Sequence, residues 1–174
     1  MDVYWTNFRH GDWQMIVAAT EKGICYISPD QSSFEELVEW QKKRMSQAVL
    51  HESPEKLTQW TKELAAYLDG SLQEFSMPVD LHGTAFQQAV WNALQQIPYG
   101  VTKNYAEIAE LIGKTKAVRA VGGAIGANPI LIAVPCHRVI GKNGKLTGFR
   151  GGLVMKERLL SLEEASGLPS MAEA

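Results

Sequence analysis

Residues 130–138 read Ile-Leu-Ile-Ala-Val-Pro-Cys-His-Arg, and no other run limits the fold of this chain as tightly. Five successive apolar residues must be buried, so 130–134 predicts a short buried strand or extended segment. Pro135 then removes a backbone donor and narrows φ, stiffening the chain just before a thiol. Cysteine attacks as the thiolate, which needs a nearby base or positive charge. His137 and Arg138 are each able to supply one. A lone cysteine is most often a small core residue. Cys136, however, has two basic neighbours and precedes a loop containing Gly141, Gly144, Gly148, Gly151 and Gly152, a context poor for a core. Cys25 has no activating neighbour in its β-like run and reads as core.

The chain has 174 residues, enough for one medium domain or two small ones. Two cysteines without a Cys-x-x-Cys spacing exclude a disulfide framework. Histidines 10, 51, 82 and 137 show no zinc-ligand spacing, so no metal is expected. Neither a signal peptide nor a membrane span is expected, and a free reactive thiol suits a reducing cytoplasm.

The net charge of −2 conceals a division. Residues 84–160 hold six Lys and four Arg against three Glu, a local +7. Residues 1–83 carry −6 and the tail from 161 carries −3. An acidic half joined to a basic half is the pattern of a chain that meets polyanion with one half. Chance unevenness on a solvated surface is the bland alternative.

In the first half, residues 13–20 and 23–27 predict a hairpin turning at Glu21-Lys22. Ser32-x-x-Glu35 and Ser33-x-x-Glu36 fit capping boxes for a helix reaching about Gln47. Ser53-Pro54 opens another, carried by Leu57, Trp60, Leu64, Tyr67 and Leu68 and stopped at Gly70. Residues 75–80 look extended, and the junction is expected at His82-Gly83. The expected domains are therefore 1–83, a small α/β support domain with an antiparallel sheet, and 84–174, mainly helical. The fold class is α+β.

In the second half, Thr84-x-x-Gln87 is a capping box, with Phe86, Val90, Trp91 and Leu94 on one face. Asn104-x-x-Glu107 caps a helix over 105–112, with Ala106, Ile108, Ala109 and Ile112 largely buried. Gly113 stops it, and Thr115 caps a third helix over 116–127. Two short helices around such a turn predict a helix-turn-helix. The last helix is expected over about 154–165, ending near Gly167. The third helix holds Ala117, Ala120, Gly122, Gly123, Ala124, Gly126 and Ala127. Each interior glycine costs about 1 kcal/mol relative to alanine. Either a neighbouring helix packs closely there, or the backbone approaches a narrow surface such as a DNA groove. Arg119, its one long side chain, reads on its own as a solvated charge.

Taken together, these residues resemble the O6-alkylguanine-DNA alkyltransferases. The resemblance covers about residues 83–163. It runs through Gly83-Thr84-x-Phe86-Gln87, Val90-Trp91, Ile97-Pro98-Tyr99-Gly100 and Tyr105-x-x-Ile108-Ala109. It continues with Arg119-Ala120-Val121-Gly122, Asn128-Pro129, Pro135-Cys136-His137-Arg138-Val139 and Gly148-Phe149-Arg150. It implies direct-reversal DNA repair: O6-alkylguanine in double-stranded DNA, with O4-alkylthymine a second candidate lesion, gives its alkyl group to Cys136. The nucleotide is flipped out first, and the protein acts once, as a monomer, without a cofactor, an obligate protein partner or a membrane.

The resemblance also implies roles. Cys136 is the nucleophile, His137 the base acting through a water, Glu163 the acid orienting it, and Asn128 the brace of the turn. By sequence alone Glu164 fits as well as Glu163, and Asn128-Pro129 is simply a turn. Arg119 fills the space of the flipped base, Tyr105 crowds the phosphate and donates to the leaving guanine, and Thr115, Ala120 and Gly122 belong to the DNA-binding surface. Leu131, Val139, Phe149, Arg150 and Gly151 line the pocket. Phe149 stands where some relatives have tyrosine and Leu131 where some have proline. Gly151 stands where some have tryptophan, which suggests a roomier site. Two other classes compete: a DNA-binding regulator without chemistry, and a cysteine hydrolase built on Cys136 and His137.

Overall fold

A computed structural model describes the backbone of residues 1–173 and the side chains of residues 1–166. The chain divides into two compact units, Met1–Gly83 and Thr84–Ala174.

The first unit is built on strands β1 (Asp2–His10), β2 (Trp13–Thr20), β3 (Gly23–Ile27) and β4 (Val49–Glu52), in the order β3-β2-β1-β4. The expected hairpin is β2–β3. Strand β1, mostly polar and unremarkable in sequence, pairs antiparallel with β2 (Tyr4↔Ala19, Phe8↔Met15). The edge strand β4 runs parallel to β1 (Asp2↔Val49, Trp5↔Glu52), so the sheet is mixed rather than wholly antiparallel. A parallel edge needs a crossover connection, and helix α1 (Phe34–Arg44) lies in it. Residues 15–19 of β2 are all buried, as for a central strand covered on both faces. Val3, Ile16, Ala18, Cys25, Tyr26, Leu37 and Met45 form one core cluster, which settles Cys25 as packing.

Helix α1 stops at Arg44, three residues short of the expected end, and neither capping box forms. Ser33 occupies the cap position without a side-chain bond, and the Ser32 hydroxyl donates to the Glu36 carboxylate instead. The Ser53-Pro54 start gives a short 3-10 turn, Pro54–Leu57, before α2 (Thr58–Leu68). Gly23 has φ +151, and a Cβ there would collide with the Pro78 carbonyl, whose oxygen takes the Ile24 N–H at 3.0 Å. Glycine thus lets residues 78–80 dock along β3, where Val79 bridges Ile24.

In the second unit, α3 (Ala85–Leu94) and α4 (Tyr105–Leu111) both start with complete capping boxes, at Thr84/Gln87 and Asn104/Glu107. Gly113, at φ +70, ends the turn after α4. Helix α5 (Val118–Gly126) begins two residues later than expected, with Ala117 and not Thr115 at its cap. Ala106 is exposed and Ile112 half-buried, so the inner face of α4 is Ile108 and Ala109. Trp91 on α3 donates from its indole nitrogen to the Ala124 carbonyl on α5 at 2.8 Å, a buried bond. Helix α6 (Leu153–Glu173) continues past Gly167, farther than its glycine predicts. Strand β5 (Lys103–Asn104) pairs parallel with β6 (Val139–Ile140). This short ladder joins the residues just before Tyr105 to those just after Arg138, and so sets α4 beside the cysteine turn.

Candidate active site

Residues 130–134 are buried, Ala133 only partly, but they do not form a strand. They coil into turns. The Ala133 N–H bonds the Leu131 carbonyl at 2.8 Å across Ile132, whose φ is +73. That is the rare γ-turn of positive φ, adopted here by a buried β-branched residue. A second γ-turn, of the common inverse kind, closes across Pro135 (φ −81, ψ 63) with Cys136 N–H to Val134 O at 2.8 Å. Residues Cys136–Arg138 then form a 3-10 turn, not an extended segment.

Asn128 holds these turns together. Its amide nitrogen donates to the Val134 carbonyl at 2.8 Å, the Ile130 carbonyl at 3.3 Å and the Cys136 sulfur at 3.1 Å. Its oxygen accepts the Ile130 N–H at 2.9 Å. The same side chain therefore shapes the backbone and touches the Cys136 sulfur.

Cys136 is 1% exposed. Burial pushes its thiol up, opposed by the Asn128 hydrogen bond and by the charges of Arg150 and Lys156. Arg138 is not among the groups that activate it, contrary to one sequence expectation. Arg138 instead faces Glu163, donating from Nε to Oε1 at 2.9 Å and from Nη2 to Oε2 at 3.0 Å. The His137 Nε2 lies 2.7 Å from Glu163 Oε2, both side chains fully buried. Burial would raise the Glu163 carboxyl, but hydrogen bonds from His137 and Arg138 win and hold it far below the usual carboxylate range. An ionised carboxylate accepts only, so Nε2 is the protonated ring nitrogen. Burial also lowers His137 below its ordinary value, and Glu163 only partly offsets this. Burial thus favours the neutral ring, and Glu163 as acceptor leaves Nδ1 as its basic nitrogen.

The choice between Glu163 and Glu164 is thus resolved by burial: Glu163 is 1% exposed and Glu164 lies on the outer face. Tyr105 is half-buried, and its hydroxyl lies 2.6 Å from the Thr147 hydroxyl. Its ring runs beside Gly122, where an added Cβ would come into ordinary contact at 3.8 Å. Leu131 and Val139 are buried, and Phe149 is half-buried. Arg150 donates to the carbonyls of Asn128 at 2.9 Å and Pro129 at 3.3 Å, tying the glycine-rich loop to the end of α5. At Gly151 the space that a Cβ would take is filled by the side chains of Phe149 and Met155. Thr115, Arg119 and Ala120 are exposed on the turn and α5. Gly123 and Gly126 have nothing within 4 Å of where a Cβ would sit, so tight packing within the chain does not explain them.

Two participants escaped the sequence reading. Lys156 is 1% exposed, and its ammonium donates to Val139 O at 2.6 Å and Thr147 O at 3.3 Å. Its signal was present: Lys156, Leu159 and Glu163 share one helical face, so a charge stands on the apolar stripe. Thr147 had no comparable signal. Among the described residues, no three His, Cys, Asp or Glu side chains gather as a metal site. No described helix is long and apolar enough to cross a membrane.

Known proteins resemble this chain over both units. Residues 85–165 match the 6-O-methylguanine DNA methyltransferase, DNA binding domain, and residues 3–81 match its ribonuclease-like domain. The chain is 52% identical to the inducible methylated-DNA–protein-cysteine methyltransferase of Bacillus subtilis, over 93% of this chain and 90% of that one. It is 43% identical to the enzyme of the same name from Methanosarcina acetivorans, over 92% and 98%. The crystal structure of Mycobacterium tuberculosis OGT in complex with DNA superposes with a TM-score of 0.77 at 37% identity, covering 94% of each chain. Matches of this extent over both units, around a cysteine held as Cys136 is, make the chain a member of the methylated-DNA–protein-cysteine methyltransferase family.

Proposed function

We propose that this protein repairs DNA by moving the alkyl group of O6-alkylguanine onto Cys136, once per molecule. The observation that carries the reading is the buried thiol held by Asn128, flanked by Arg150 and Lys156, beside a neutral His137 whose orientation Glu163 fixes.

His137 Nδ1 accepts the thiol proton through a water. The sulfur attacks the alkyl carbon, a carbon–sulfur bond forms and the carbon–oxygen bond breaks. The electron pair goes to the guanine O6, and the purine regains a proton from the same relay, with the Tyr105 hydroxyl as a further donor. The thioether product has no leaving group that a side chain here can expel, so the protein is consumed. No cofactor enters the balance, because the lesion itself supplies the alkyl group.

The second unit also offers the surface for DNA. Exposed Ala120, Gly123 and Gly126 give α5 a low profile suited to a minor groove, with Gly122 against Tyr105 and Thr115 in the preceding turn. Arg119 projects from this face to occupy the stack as the damaged nucleotide leaves, and the local +7 charge draws in phosphates. Leu131, Val139 and Phe149 shape the pocket, while Arg150 braces it. The first unit supports the second, and the protein works in the cytoplasm as a monomer on duplex DNA.

The test is stoichiometric. Duplex DNA bearing labelled O6-methylguanine is mixed with the protein, and the label is mapped by peptide mass. One methyl per chain on Cys136, and none in Cys136→Ser, is the expected result. Multiple turnovers, or release of the intact modified base, would overturn the reading.

A further inference from the structure

Arg138 sits in the 3-10 turn next to the nucleophile, yet its three guanidinium nitrogens each donate elsewhere. Nε and Nη2 grip the two oxygens of Glu163 as a fork, and Nη1 donates to the Ile97 carbonyl at 2.6 Å. Its guanidinium carbon lies 5.6 Å from the Tyr99 ring centroid. Residue Arg138 is 7% exposed and Glu163 1%, so this is a buried, bidentate ion pair. Glu163 Oε1 also accepts the Gly100 N–H at 3.0 Å, and Oε2 is shared with His137. Both carboxylate oxygens are thereby engaged by N–H donors.

A buried carboxylate alone beside a histidine stabilises the imidazolium. Here the charges facing His137 are Glu163 and Lys156 from α6 and Arg138 from its own turn, with the Cys136 thiol adjacent. Arg138 counters the charge of Glu163, and Lys156 adds a further positive charge, so both work with burial against a charged ring. We propose that Arg138 is a positioning residue: by clamping both oxygens of Glu163 it neutralises that carboxylate, so that Glu163 orients His137 without charging it. His137 then passes a proton on rather than storing it. This suits a displacement in which the purine, not the protein, must end with the proton. The inference rests on the transfer chemistry proposed above.

The experiment reads the His137 ring by nitrogen NMR in the full chain, together with single-turnover methyl transfer as a function of pH. In the unsubstituted protein His137 is expected as the neutral, Nε2-protonated tautomer at pH 7. In Arg138→Met its protonation midpoint moves up by about one unit or more, as for a histidine left with an uncompensated carboxylate. The acid limb of transfer moves with it, so the rate at about pH 6 falls roughly tenfold and recovers at alkaline pH. Arg138→Gln keeps donors but no charge, and provides the same readout if Arg138→Met does not fold. An unmoved midpoint in a folded variant overturns the proposal, as does an imidazolium at pH 7 in the unsubstituted protein. If the titrations behave as stated but Cys136 accepts no alkyl group, the transfer reading fails and the electrostatic role of Arg138 stands.

Discussion

The Asn128 amide nitrogen lies 3.1 Å from the Cys136 sulfur while the same nitrogen holds the Val134 carbonyl at 2.8 Å. The thiol is therefore positioned by the group that maintains the strained turns before it. Asn128→Ala would strand the buried Ile130 N–H, at about 1–3 kcal/mol, and leave the Val134 carbonyl with only its bond from the Cys136 N–H. A total loss of about 2–4 kcal/mol in urea denaturation is expected, with methyl transfer lost as well. Asn128→Asp is the sharper probe. It can retain the bond to Ile130 but puts negative charge beside sulfur, so the thiol should move further up and transfer should slow even in the folded fraction. Equal transfer rates in Asn128→Asp and the unsubstituted protein would contradict this placement.

Stability should depend on pH in a defined direction. His137 is held below its ordinary value by burial. Below about pH 6.5 the unfolded chain gains a proton on this residue that the folded one refuses. Stability then falls as pH drops, by up to about 1.4 kcal/mol per unit. Glu63 and Glu163 are held ionised in the fold, so their contribution is lost only below about pH 4.3. At the other end, burial raises both Cys25 and Cys136, and the unfolded chain releases those protons first above about pH 8.5. Urea midpoints across this range should peak between the two limits. His137→Asn should flatten the slope between about pH 6.5 and 5.

How far the chain could be read in advance followed the range of its interactions. The capping boxes at Thr84 and Asn104 are local and formed as expected, whereas those at Ser32 and Ser33 did not. Strand β1 has too few apolar residues to announce itself and is defined by its partners β2 and β4. The apolar run 130–134 predicts burial, and Ile130, Leu131, Ile132 and Val134 are buried. Its coiling depends on bonds from Asn128, which no periodicity encodes. The resemblance named Cys136, His137, Glu163 and Asn128, and the structure joins them in two pairs, Asn128 with Cys136 and His137 with Glu163. Arg138 was placed by adjacency to the thiol. A 3-10 turn in place of extended chain sent it to Glu163 instead.

Lys156 is the buried cation whose charge acts on the Cys136 thiol while its ammonium spans Val139 and Thr147. Lys156→Met keeps the length and apolar contacts of the side chain but removes the charge. The thiol should then move further up, readable from the ultraviolet absorbance of the thiolate, and transfer at neutral pH should slow. Loss of the ties to Val139 O and Thr147 O adds about 1–3 kcal/mol per buried carbonyl left unpaired. Lys156→Arg keeps the charge, so it should keep the thiol titration nearer that of the unsubstituted protein than Lys156→Met does. If the two variants titrate alike, the Lys156 charge is not what holds the thiolate.

The variant Arg119→Ala is expected to separate reaching the lesion from reacting with it. Arg119 is exposed on α5 among small residues, whereas Cys136 and Glu163 are each 1% exposed. Arg119→Ala removes no buried contact, so the denaturation midpoint should stay within about 0.5 kcal/mol of the unsubstituted protein. Extruding a base costs a few kcal/mol, and a side chain that fills the vacated stack offsets part of it. Losing about 1.4–2.8 kcal/mol of that offset slows transfer from a lesion in duplex DNA by about tenfold to a hundredfold. In single-stranded DNA there is no pair to break and less stacking to replace, so the penalty should shrink. Binding should also lose part of its salt dependence, by about one phosphate contact if Arg119 also touches the backbone. Equal slowing on duplex and single-stranded substrates would mean that Arg119 acts on the chemistry and not on extrusion.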